Sequence, residues 1–292
     1  MNTIQRRKRR CRRLSFALLL VLLLPLAGVL GASAATVPLP AGAVETDVLL
    51  DGREILDGEC IIIDGVTYVP LRRFCDLFAT NKITWNGRTG TATVKNQHLT
   101  LTVESGALYI VANGHYYYTA REVLNLGGSL YVPIRPLARA LDTELRWNST
   151  ARAVELTSPK DGVYAVPWAN YASDEVYWLS RIIYAEAGAE PFRGQIAVGN
   201  VVLNRVRHRD YPNTIYGVIF DRKHGTQFSP VAFGTIYKTP SAEAVIAAKI
   251  CLEGYTLSER ALFFVNPRIA TSTWIERNRT YEFTVGRHNF YS

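Results

Sequence analysis

The chain has 292 residues, enough for about two domains of ordinary size, and its 48% hydrophobic and 20% charged residues are typical of a folded protein rather than a disordered one. The formal net charge of +8 comes almost entirely from seven basic residues within the first thirteen positions. In the remainder, 26 basic residues face 25 acidic ones, so no bulk charge favours nucleic acid, and that class of function is excluded.

After the basic stretch, an apolar run extends from Leu14 to Leu30 and is followed by Ala32-Ser33-Ala34. This order of positive charge, apolar core and small-x-small exit is typical of a secretory signal peptide. We therefore predict a signal peptide over residues 1–34 and a secreted protein that touches a membrane only transiently, through this leader. An uncleaved membrane anchor is the alternative, and Pro25 and Gly28 weigh against it because they interrupt the run.

Three cysteines lie beyond this segment, namely Cys60, Cys75 and Cys251. An odd number does not make a disulfide framework. A bridge between Cys60 and Cys75 is left open, because the sequence does not give the distance between their Cα atoms. The favoured interpretation is three small buried side chains with free thiols.

An internal repeat follows. Tyr68-Val69-Pro70-Leu71-Arg72 recurs 63 residues later as Tyr131-Val132-Pro133-Ile134-Arg135, and Thr84-Trp85-Asn86 recurs as Arg146-Trp147-Asn148. Alternating apolar residues around each copy indicate strands, and the residues after each proline indicate short amphipathic helices over 72–78 and 135–141. Each copy is therefore predicted to form a strand, a short helix and a strand.

This paired pattern resembles the copper amine oxidase N-terminal-like domain family over roughly residues 48–156. The resemblance implies a wall-associated accessory module, with wall or accessory-protein contact through the repeats, and no copper chemistry. His98 and His115 stand apart, so we expect no metal and no cofactor. A spacer that binds nothing is the alternative. We assign this domain to residues 35–156 and a turn-rich linker to residues 157–171.

A helix is predicted from Ser173, an N-cap candidate, to Ala187. Its apolar positions are Val176, Leu179, Ile182 and Ile183. At about 100° per residue, Glu186 falls within the same apolar arc. A carboxyl on the buried side of a helix has a raised pKa unless it is paired, so it can donate a proton near neutral pH. Glu186 is therefore a candidate catalytic acid, and an ion pair with an arginine is the alternative.

Several segments with ordinary spacing follow one another from about residue 175 to 290. They are Ser180-Arg181-Ile182-Ile183-Tyr184-Ala185-Glu186-Ala187, Glu190 to Gly199, Val201 to Val206, Gln227-Phe228-Ser229-Pro230-Val231, Ala261 to Pro267 with Trp274, and Gly286-Arg287-His288-Asn289-Phe290. Together they are similar to the SleB-type cell-wall hydrolase family, which includes spore cortex-lytic enzymes. The family's Gly-Glu-Ala-Arg-Gly-Glu is replaced here by residues 185–190, Ala-Glu-Ala-Gly-Ala-Glu, so the arginine near the acid is absent.

The resemblance implies a lysozyme-like fold over residues 172–292 and lytic transglycosylation of peptidoglycan, with Glu186 as the catalytic acid. The predicted fold class is α+β, with a small β-rich two-repeat N-terminal domain followed by a mainly α lysozyme-like C-terminal domain. The implied partner is peptidoglycan, and the implied location is the cell wall or the spore envelope. Vegetative wall and spore cortex are both left open as substrates.

Further candidates within the matched segments are residues that could bind the substrate. They are Glu190, Asn204, Gln227, Phe228, Ser229, Asn266 and Trp274. Amide side chains can hydrogen-bond sugar hydroxyls, and aromatic rings can stack on sugar faces, although a core position is the commoner fate of an aromatic ring. His288 and Asn289 are expected either to hold the C-terminus in place or to bind.

The resemblance suggests a route that uses one acid. Glu186 protonates the oxygen between N-acetylmuramic acid and N-acetylglucosamine and then takes a proton from the muramic C6 hydroxyl, which closes onto C1 as a 1,6-anhydro sugar. Hydrolysis is the alternative reaction. The main rival function is a non-enzymatic wall-binding or assembly protein with a decayed lysozyme-like domain.

Two other enzyme classes are weaker candidates. A cysteine-based amidase would need a reactive thiol, and Cys251 lies in an apolar helical stretch. A zinc peptidase would need closely spaced ligands, and His208, His224 and His288 are scattered without a His-x-x-x-His pair.

Overall fold

The computed structural model describes residues 39–79, 81–223 and 227–292. The predicted signal peptide and His224 lie outside these residues. Within the described ranges, the helices all fall short of the length and apolar character that crossing a bilayer requires.

The N-terminal part, up to Thr157, consists of short strands and two short helices. In chain order these are β1 (Val44–Glu45), β2 (Val48–Leu50), β3 (Arg53–Ile55), β4 (Ile61–Ile63), β5 (Val66–Pro70), α1 (Leu71–Asp76), β6 (Lys82–Asn86), β7 (Thr91–Lys95), β8 (Thr100–Glu104), β9 (Tyr109–Ala112), β10 (His115–Tyr118), β11 (Leu124–Leu126), β12 (Ser129–Pro133), α2 (Ile134–Ala140), β13 (Glu144–Asn148) and β14 (Ala153–Thr157). The strands form three sheets, in the orders β1-β4-β5-β12-β11, β10-β9-β8-β7-β6 and β13-β14-β2-β3.

The two copies of the repeated motif pair with each other. Strands β5 and β12 run antiparallel, Val69 lies opposite Val132, and the tyrosine of each copy lies opposite the proline of the other. Corresponding positions therefore meet around an approximate twofold axis, and both valines are fully buried. The predicted order of strand, helix and strand is confirmed. Each helix begins one residue earlier than predicted, because Leu71 and Ile134 are already helical and buried directly after the proline.

The C-terminal part is mainly helical. It comprises α3 (Ser173–Ala187), α4 (Phe192–Arg207), α5 (Ile215–Phe220), α6 (Ser229–Ala232), a 3-10 turn (Thr235–Tyr237), α7 (Ala242–Leu252), β15 (Phe263–Val265), α8 (Trp274–Asn278), β16 (Tyr281–Val285) and β17 (His288–Tyr291). Helices α3, α4 and α7 pack around a shared apolar core, and the strands form a sheet of order β15-β17-β16. The predicted α+β class, with a β-rich N-terminal part and a helical C-terminal part, is confirmed.

Helix α3 occupies the residues predicted for it, but the prediction that Ser173 caps it is wrong. Ala172 is the N-cap residue, and no side chain accepts a hydrogen bond there, because Ser173 is already within the helix. Asp174 and Glu175 lie in the first turn, where negative charge is favourable to the helix dipole.

Residues 158–172 contain no helix or strand, yet they pack closely on the N-terminal part. The Asn113 amide nitrogen donates to the Val166 carbonyl oxygen at 2.7 Å, and the Ala169 nitrogen donates to the Asn113 carbonyl oxygen at 2.9 Å. This connection is therefore held in place by specific hydrogen bonds. The domain boundaries drawn from the sequence stay predictions.

A polar contact around Glu253, just after α7, joins the two parts. Its carboxylate accepts hydrogen bonds from His115 Nδ1 at 2.8 Å and from Tyr171 Oη. Its backbone oxygen accepts one from Arg139 Nη2 at 2.7 Å. Since His115 lies in β10, Arg139 in α2 and Tyr171 in the connecting segment, one residue ties three elements to the helical part.

We predict that Glu253→Ala lowers the free energy of unfolding by about 1–3 kcal/mol, because His115 and Tyr171 lose their shared acceptor in a mostly buried contact. Urea denaturation followed by circular dichroism measures the loss. Glu259→Ala, at an exposed position, is the matched control and should change stability by less than about 0.5 kcal/mol. Equal effects of the two variants would contradict a joining role for Glu253.

Candidate active site

Helix α3 carries Glu186 in its last turn, on the side that faces the core. Leu179, Ile182 and Ile183 on this side are completely buried, and Ala187 is almost so. Glu186 is half-buried and follows the two isoleucines by three and four residues, so it shares their face. The position that the sequence predicts for this carboxyl is the one observed.

The Glu186 carboxyl has no hydrogen-bond or ion-pair partner among the residues that the structure describes. Burial raises its pKa from 4.5 to about 7, and the positive charge of Arg205 acts in the opposite direction. At neutral pH the group is therefore close to half protonated. The ion pair that served as the alternative interpretation is absent from the described residues, since Arg205 acts on Glu186 through its charge without a direct bond.

Arg205 lies near the end of α4 and is itself almost fully buried. Its Nε donates to the Leu262 carbonyl oxygen at 2.8 Å. The guanidinium packs on the rings of Tyr211 and Phe228, each 5.1 Å from its centroid, and on Phe263 at 5.6 Å. Its Nη1 is buried without a hydrogen-bond partner in the described part of the chain. Burial lowers the pKa of Arg205. The aromatic rings and nearby negative charges counter this effect and stabilise the cation.

A cleft of about 810 Å³ lies beside these rings and brings together two of the predicted substrate-binding residues, Gln227 and Trp274. About half of the Trp274 side chain is exposed. The guanidinium of Arg279 lies 4.9 Å from the Trp274 ring centroid and 4.6 Å from that of Phe263. The cleft therefore offers an exposed aromatic face, a cation and an amide within one concave surface.

Glu186 is not itself one of the residues that line this cleft. Arg205 connects the two, because its charge acts on Glu186 and its guanidinium packs on Tyr211 and Phe263, which are both cleft walls. Sequence reasoning treated Arg205 only as a helix end and did not single out Phe263. Both residues lie inside the matched segments. A charged residue in the otherwise buried stretch 201–205 was the signal that could have identified Arg205.

Glu190, also predicted to bind substrate, is committed to the C-terminal hairpin. Its carboxylate accepts hydrogen bonds from the Arg287 backbone nitrogen at 2.8 Å and from Arg287 Nε at 2.7 Å. Burial by itself raises the pKa of Glu190, but the two hydrogen bonds from Arg287 bring the pKa below its ordinary value. Gly286 has a φ of 59°, and a Cβ there would run into this carboxylate. The group is therefore ionised and engaged by Arg287.

Asn204 and Phe228 lie inside the domain rather than on the cleft surface. The Asn204 amide nitrogen donates to the carbonyl oxygens of Ser258 at 2.8 Å and Ala261 at 3.0 Å, and the residue is buried. Phe228 is buried in the helical core, where its ring meets the Arg205 guanidinium. Both side chains contribute to holding Arg205 and its surroundings in place.

Ser229 and Asn266 sit at turns. Ser229 is exposed at the start of α6, and its backbone oxygen accepts from the Phe233 nitrogen at 3.0 Å. The Asn266 side-chain oxygen accepts from the Arg268 nitrogen at 3.1 Å, and its backbone oxygen accepts from the Ala270 nitrogen at 3.0 Å. The structure does not place either of them among the cleft-lining residues.

Gly188 stands where the resembled family carries an arginine. A Cβ added at Gly188 would lie 2.6 Å from the Tyr184 backbone oxygen and 2.9 Å from Cδ2 of its ring. An arginine at this position would therefore require Tyr184 to move. In this chain the Tyr184 ring lies against the position that the Cβ of an arginine would take.

The thiols are free and buried, as the sequence suggests, so Cys60 and Cys75 are not bridged. Burial raises the pKa of both to about 12, and it raises the pKa of Cys251 as well. None of them supplies a thiolate at neutral pH. In the described ranges, no three His, Cys, Asp or Glu side chains come together as a metal site would require.

Comparison with known proteins gives two family matches. Residues 189–291 match the family described as Cell Wall Hydrolase, and residues 49–156 match the one described as Copper amine oxidase N-terminal domain. The chain therefore contains a domain of each kind, and both resemblances identified from the sequence are confirmed. Glu186 lies just before the first matched range.

The chain is also similar to individual proteins. A spore cortex-lytic enzyme of Bacillus cereus is 36% identical over 148 residues, which are 51% of this chain and 55% of that protein. One from Bacillus subtilis (strain 168) is 36% identical over 131 residues, 45% and 42% of the two chains. The chain thus spans about half the length of the curated relatives it matches.

Two solved structures are also similar. The catalytic domain of the germination-specific lytic transglycosylase SleB from Bacillus anthracis is 37% identical, and the match covers 44% of this chain and 100% of that one, with a TM-score of 0.39. The catalytic domain of the Bacillus cereus SleB protein is 36% identical, with coverage of 42% and 93% and a TM-score of 0.38.

We predict that Glu186→Gln is more stable than the wild type above pH 7. Between pH 4.5 and about 7 the folded wild type holds a proton that the unfolded chain has lost, so its stability falls as pH rises through this window and levels off above it. Glutamine has no such ionisation. The advantage of the variant should therefore grow across the window to on the order of 3 kcal/mol, measured by urea denaturation at several pH values.

Glu190→Gln provides the opposite control. The pKa of Glu190 is lowered in the folded state, so its charge contributes stability at neutral pH that is lost as the group becomes protonated in acid. This variant should be less stable than the wild type at pH 7, and the deficit should shrink as pH falls. A Glu186→Gln difference that is constant with pH would contradict the burial of an unpaired carboxyl.

Proposed function

We propose that this protein, which contains a cell wall hydrolase domain, cleaves the glycan strands of peptidoglycan between N-acetylmuramic acid and N-acetylglucosamine. The observation that carries the proposal is Glu186, a half-buried carboxyl without a direct partner in the described residues, whose pKa is raised to about 7. A carboxyl in this state can both give and take a proton near neutral pH. The names of the relatives, spore cortex-lytic enzymes, support the same substrate class.

The first step is general acid catalysis. Protonated Glu186 gives its proton to the oxygen that links the two sugars, and the bond from that oxygen to C1 of the muramic residue breaks. The N-acetylglucosamine side leaves as an alcohol, and positive charge develops at C1 and the ring oxygen. Glu186 is then an anion close to this charge and stabilises it.

In the second step the same side chain acts as a base. The Glu186 carboxylate takes the proton of the C6 hydroxyl of the muramic residue, and the C6 oxygen bonds to C1. The product is a 1,6-anhydro sugar, no water is consumed, and Glu186 is protonated again for the next cycle. One carboxyl is sufficient because its protonation state alternates along the reaction.

Arg205 suits both steps. Its buried positive charge keeps the pKa of Glu186 from rising further and stabilises the anion that the first step leaves behind. The aromatic rings and the Leu262 carbonyl oxygen hold the guanidinium so that it need not reorganise during the reaction. Arg205 is therefore proposed as a positioning and electrostatic residue rather than a proton donor.

The cleft supplies contacts for the glycan beside the acid. Trp274 offers an exposed ring on which a sugar face can stack, and Gln227 offers an amide for a hydroxyl or N-acetyl group. Arg279 lies against the Trp274 ring and can meet the carboxylates of the wall polymer. Of the predicted substrate-binding residues, we retain these two, Gln227 and Trp274, as the proposed contacts.

Two carboxylates, Asp210 and Asp221, line the cleft. A carboxylate on the far side of the sugar could activate a water molecule and give hydrolysis instead, as in glycosidases that use two acids. The products separate the two reactions, because transglycosylation leaves anhydro-muramic ends and hydrolysis leaves reducing ends.

The proposed location is the cell wall or the spore envelope, reached by secretion through the signal peptide predicted over residues 1–34. Spore cortex is the favoured substrate, because the similar proteins are named spore cortex-lytic enzymes. The N-terminal repeats are proposed to contact the wall polymer near the site of cleavage.

We predict that Glu186→Gln loses activity on purified peptidoglycan by about 10²–10⁴-fold while keeping the fold, because glutamine preserves the shape but cannot donate a proton. Mass spectrometry of soluble fragments released by residues 35–292 measures this. Wild type should release fragments with anhydro-muramic ends, and its rate should fall above about pH 7, as Glu186 loses its proton. Glu175→Gln, in the exposed first turn of the same helix, is the matched control and should retain activity.

Full activity of Glu186→Gln would overturn the assignment of the acid. Reducing ends in place of anhydro ends would keep the acid and change the reaction to hydrolysis. Wild type that binds both vegetative wall and spore cortex but releases no fragments from either would favour the non-enzymatic wall-binding protein.

A further inference from the structure

A second concave site lies in the N-terminal part, away from the cleft beside Arg205. It is a cavity of about 550 Å³, within the range typical of sites for small ligands. Residues of α2 and of strands β4, β5, β10, β12, β13 and β14 line it, together with Tyr255 from the helical part. The cavity is therefore built by the repeats at the place where they meet the hydrolase part.

The walls of the cavity are mostly apolar, and its charges have one sign. Arg135 and Arg139 line it, and none of the lining residues is acidic. Arg139 packs its guanidinium 4.9 Å from the centroid of the Tyr117 ring and donates one hydrogen bond to the Glu253 backbone oxygen. Arg135 is exposed and has neither an ion pair nor a hydrogen bond among the described residues. Such a site selects for a ligand with both apolar groups and negative charge.

Two further lining residues point to a ligand. Thr119 is 3% exposed, and its hydroxyl is buried with no hydrogen-bond partner in the part of the chain that the structure describes. A buried hydroxyl without a partner is unfavourable, and rotation of the Thr119 side chain towards a ligand group that hydrogen-bonds it would remove that penalty. Trp147 leaves about half of its large apolar side chain exposed at the same cavity.

The arginine and the tryptophan at this cavity both come from the second copy of the repeat. Arg72 and Trp85 occupy the positions in the first copy that Arg135 and Trp147 occupy in the second, and both are exposed. Neither lines this cavity. The fold supplies the same residue types twice, and the arginine and tryptophan of the second copy are the ones that border this cavity.

We propose that this cavity binds the stem peptide of peptidoglycan, the short peptide attached to muramic acid, through its free carboxylates and its alanine methyl groups. The ligand class rests on the proposed function, since it assumes that the chain works on peptidoglycan. Arg135 and Arg139 pair with carboxylates, for which the planar guanidinium is well suited. The apolar walls and Trp147 contact the methyl and methylene groups.

Other occupants fit the cavity less well. A bare glycan carries many hydroxyl groups around each ring, and mostly apolar walls would leave them without partners. An acyl chain would leave the two arginines without counter-charges. A carboxylate-bearing peptide with small side chains satisfies the walls and the charges together.

The test is calorimetric titration of residues 35–292, which retain every described residue, with the tripeptide N-acetyl-L-alanyl-γ-D-glutamyl-meso-diaminopimelate, whose alanine nitrogen is amide-linked as it is in the wall. This probe has no glycosidic bond, so its binding is independent of cleavage by Glu186. We expect saturable binding by the wild type and by Glu186→Gln alike. Arg135→Gln should weaken it at least about tenfold through the lost charged hydrogen bonds, and Thr119→Val and Trp147→Ala should weaken it as well.

The first repeat provides matched controls. Arg72→Gln and Trp85→Ala remove the same groups from corresponding positions and should leave the affinity unchanged. A version of the tripeptide with its carboxylates amidated should bind at least about tenfold more weakly. Melting temperatures of all variants establish that each one is folded.

Three outcomes would overturn the proposal. They are no binding of the tripeptide by the folded wild type, equal losses from the Arg135 and Arg72 variants, and binding of a peptide-free N-acetylglucosamine tetramer at this cavity in place of the tripeptide. Cleavage of peptidoglycan without tripeptide binding would reject only this inference, and tripeptide binding without cleavage would reject only the proposed enzymatic function.

Discussion

A carboxyl group that is shielded from water and has no hydrogen-bond partner in the protein resists ionisation, and helix α3 holds Glu186 in this state among the residues that the structure describes. The helix cannot expose the group, because its isoleucines must pack against α4 and α7 for the helical part to fold. Core packing and the raised pKa are thus consequences of one helix face. The positive charge of Arg205 limits the rise in the pKa of Glu186. This charge is itself buried among aromatic rings, so the acid and its neighbouring cation are both held away from bulk water.

Three glutamates show how environment sets the role of one residue type. Glu186 has burial and a distant cation, and its pKa rises. Glu190 has burial and two hydrogen bonds from Arg287, and its pKa falls. Glu253 accepts from His115 and Tyr171 and joins the two parts of the chain. Only the first remains available for proton transfer, which is why one acid, rather than a pair from the same segment, is the basis of the proposed mechanism.

In the N-terminal part, the two copies of the repeat pair symmetrically in the core but differ at the cavity. Val69 and Val132 meet at the centre of the paired motifs and bury both copies together. At the surface the copies diverge, since Arg135 and Trp147 border a cavity that their counterparts do not. The helical part completes the cavity with Tyr255, close to the contact that Glu253 makes. Wall attachment and cleavage are thus proposed for one continuous body of protein.

Most of the secondary structure and the position of Glu186 on the buried face of α3 follow from the sequence pattern alone. Apolar periodicity gave α3 its limits and placed Glu186 on the buried face, and the repeated motif gave the paired strands, because both patterns are local consequences of helix and strand geometry. The pattern does not show which of the candidate side chains are engaged in contacts inside the domain. Glu190, Asn204 and Phe228 look like site residues in the sequence, yet Arg287, Ser258 and the core engage them, and Arg205 joins the site from another helix. Those assignments depend on contacts between residues distant in the chain, which form only when the chain folds.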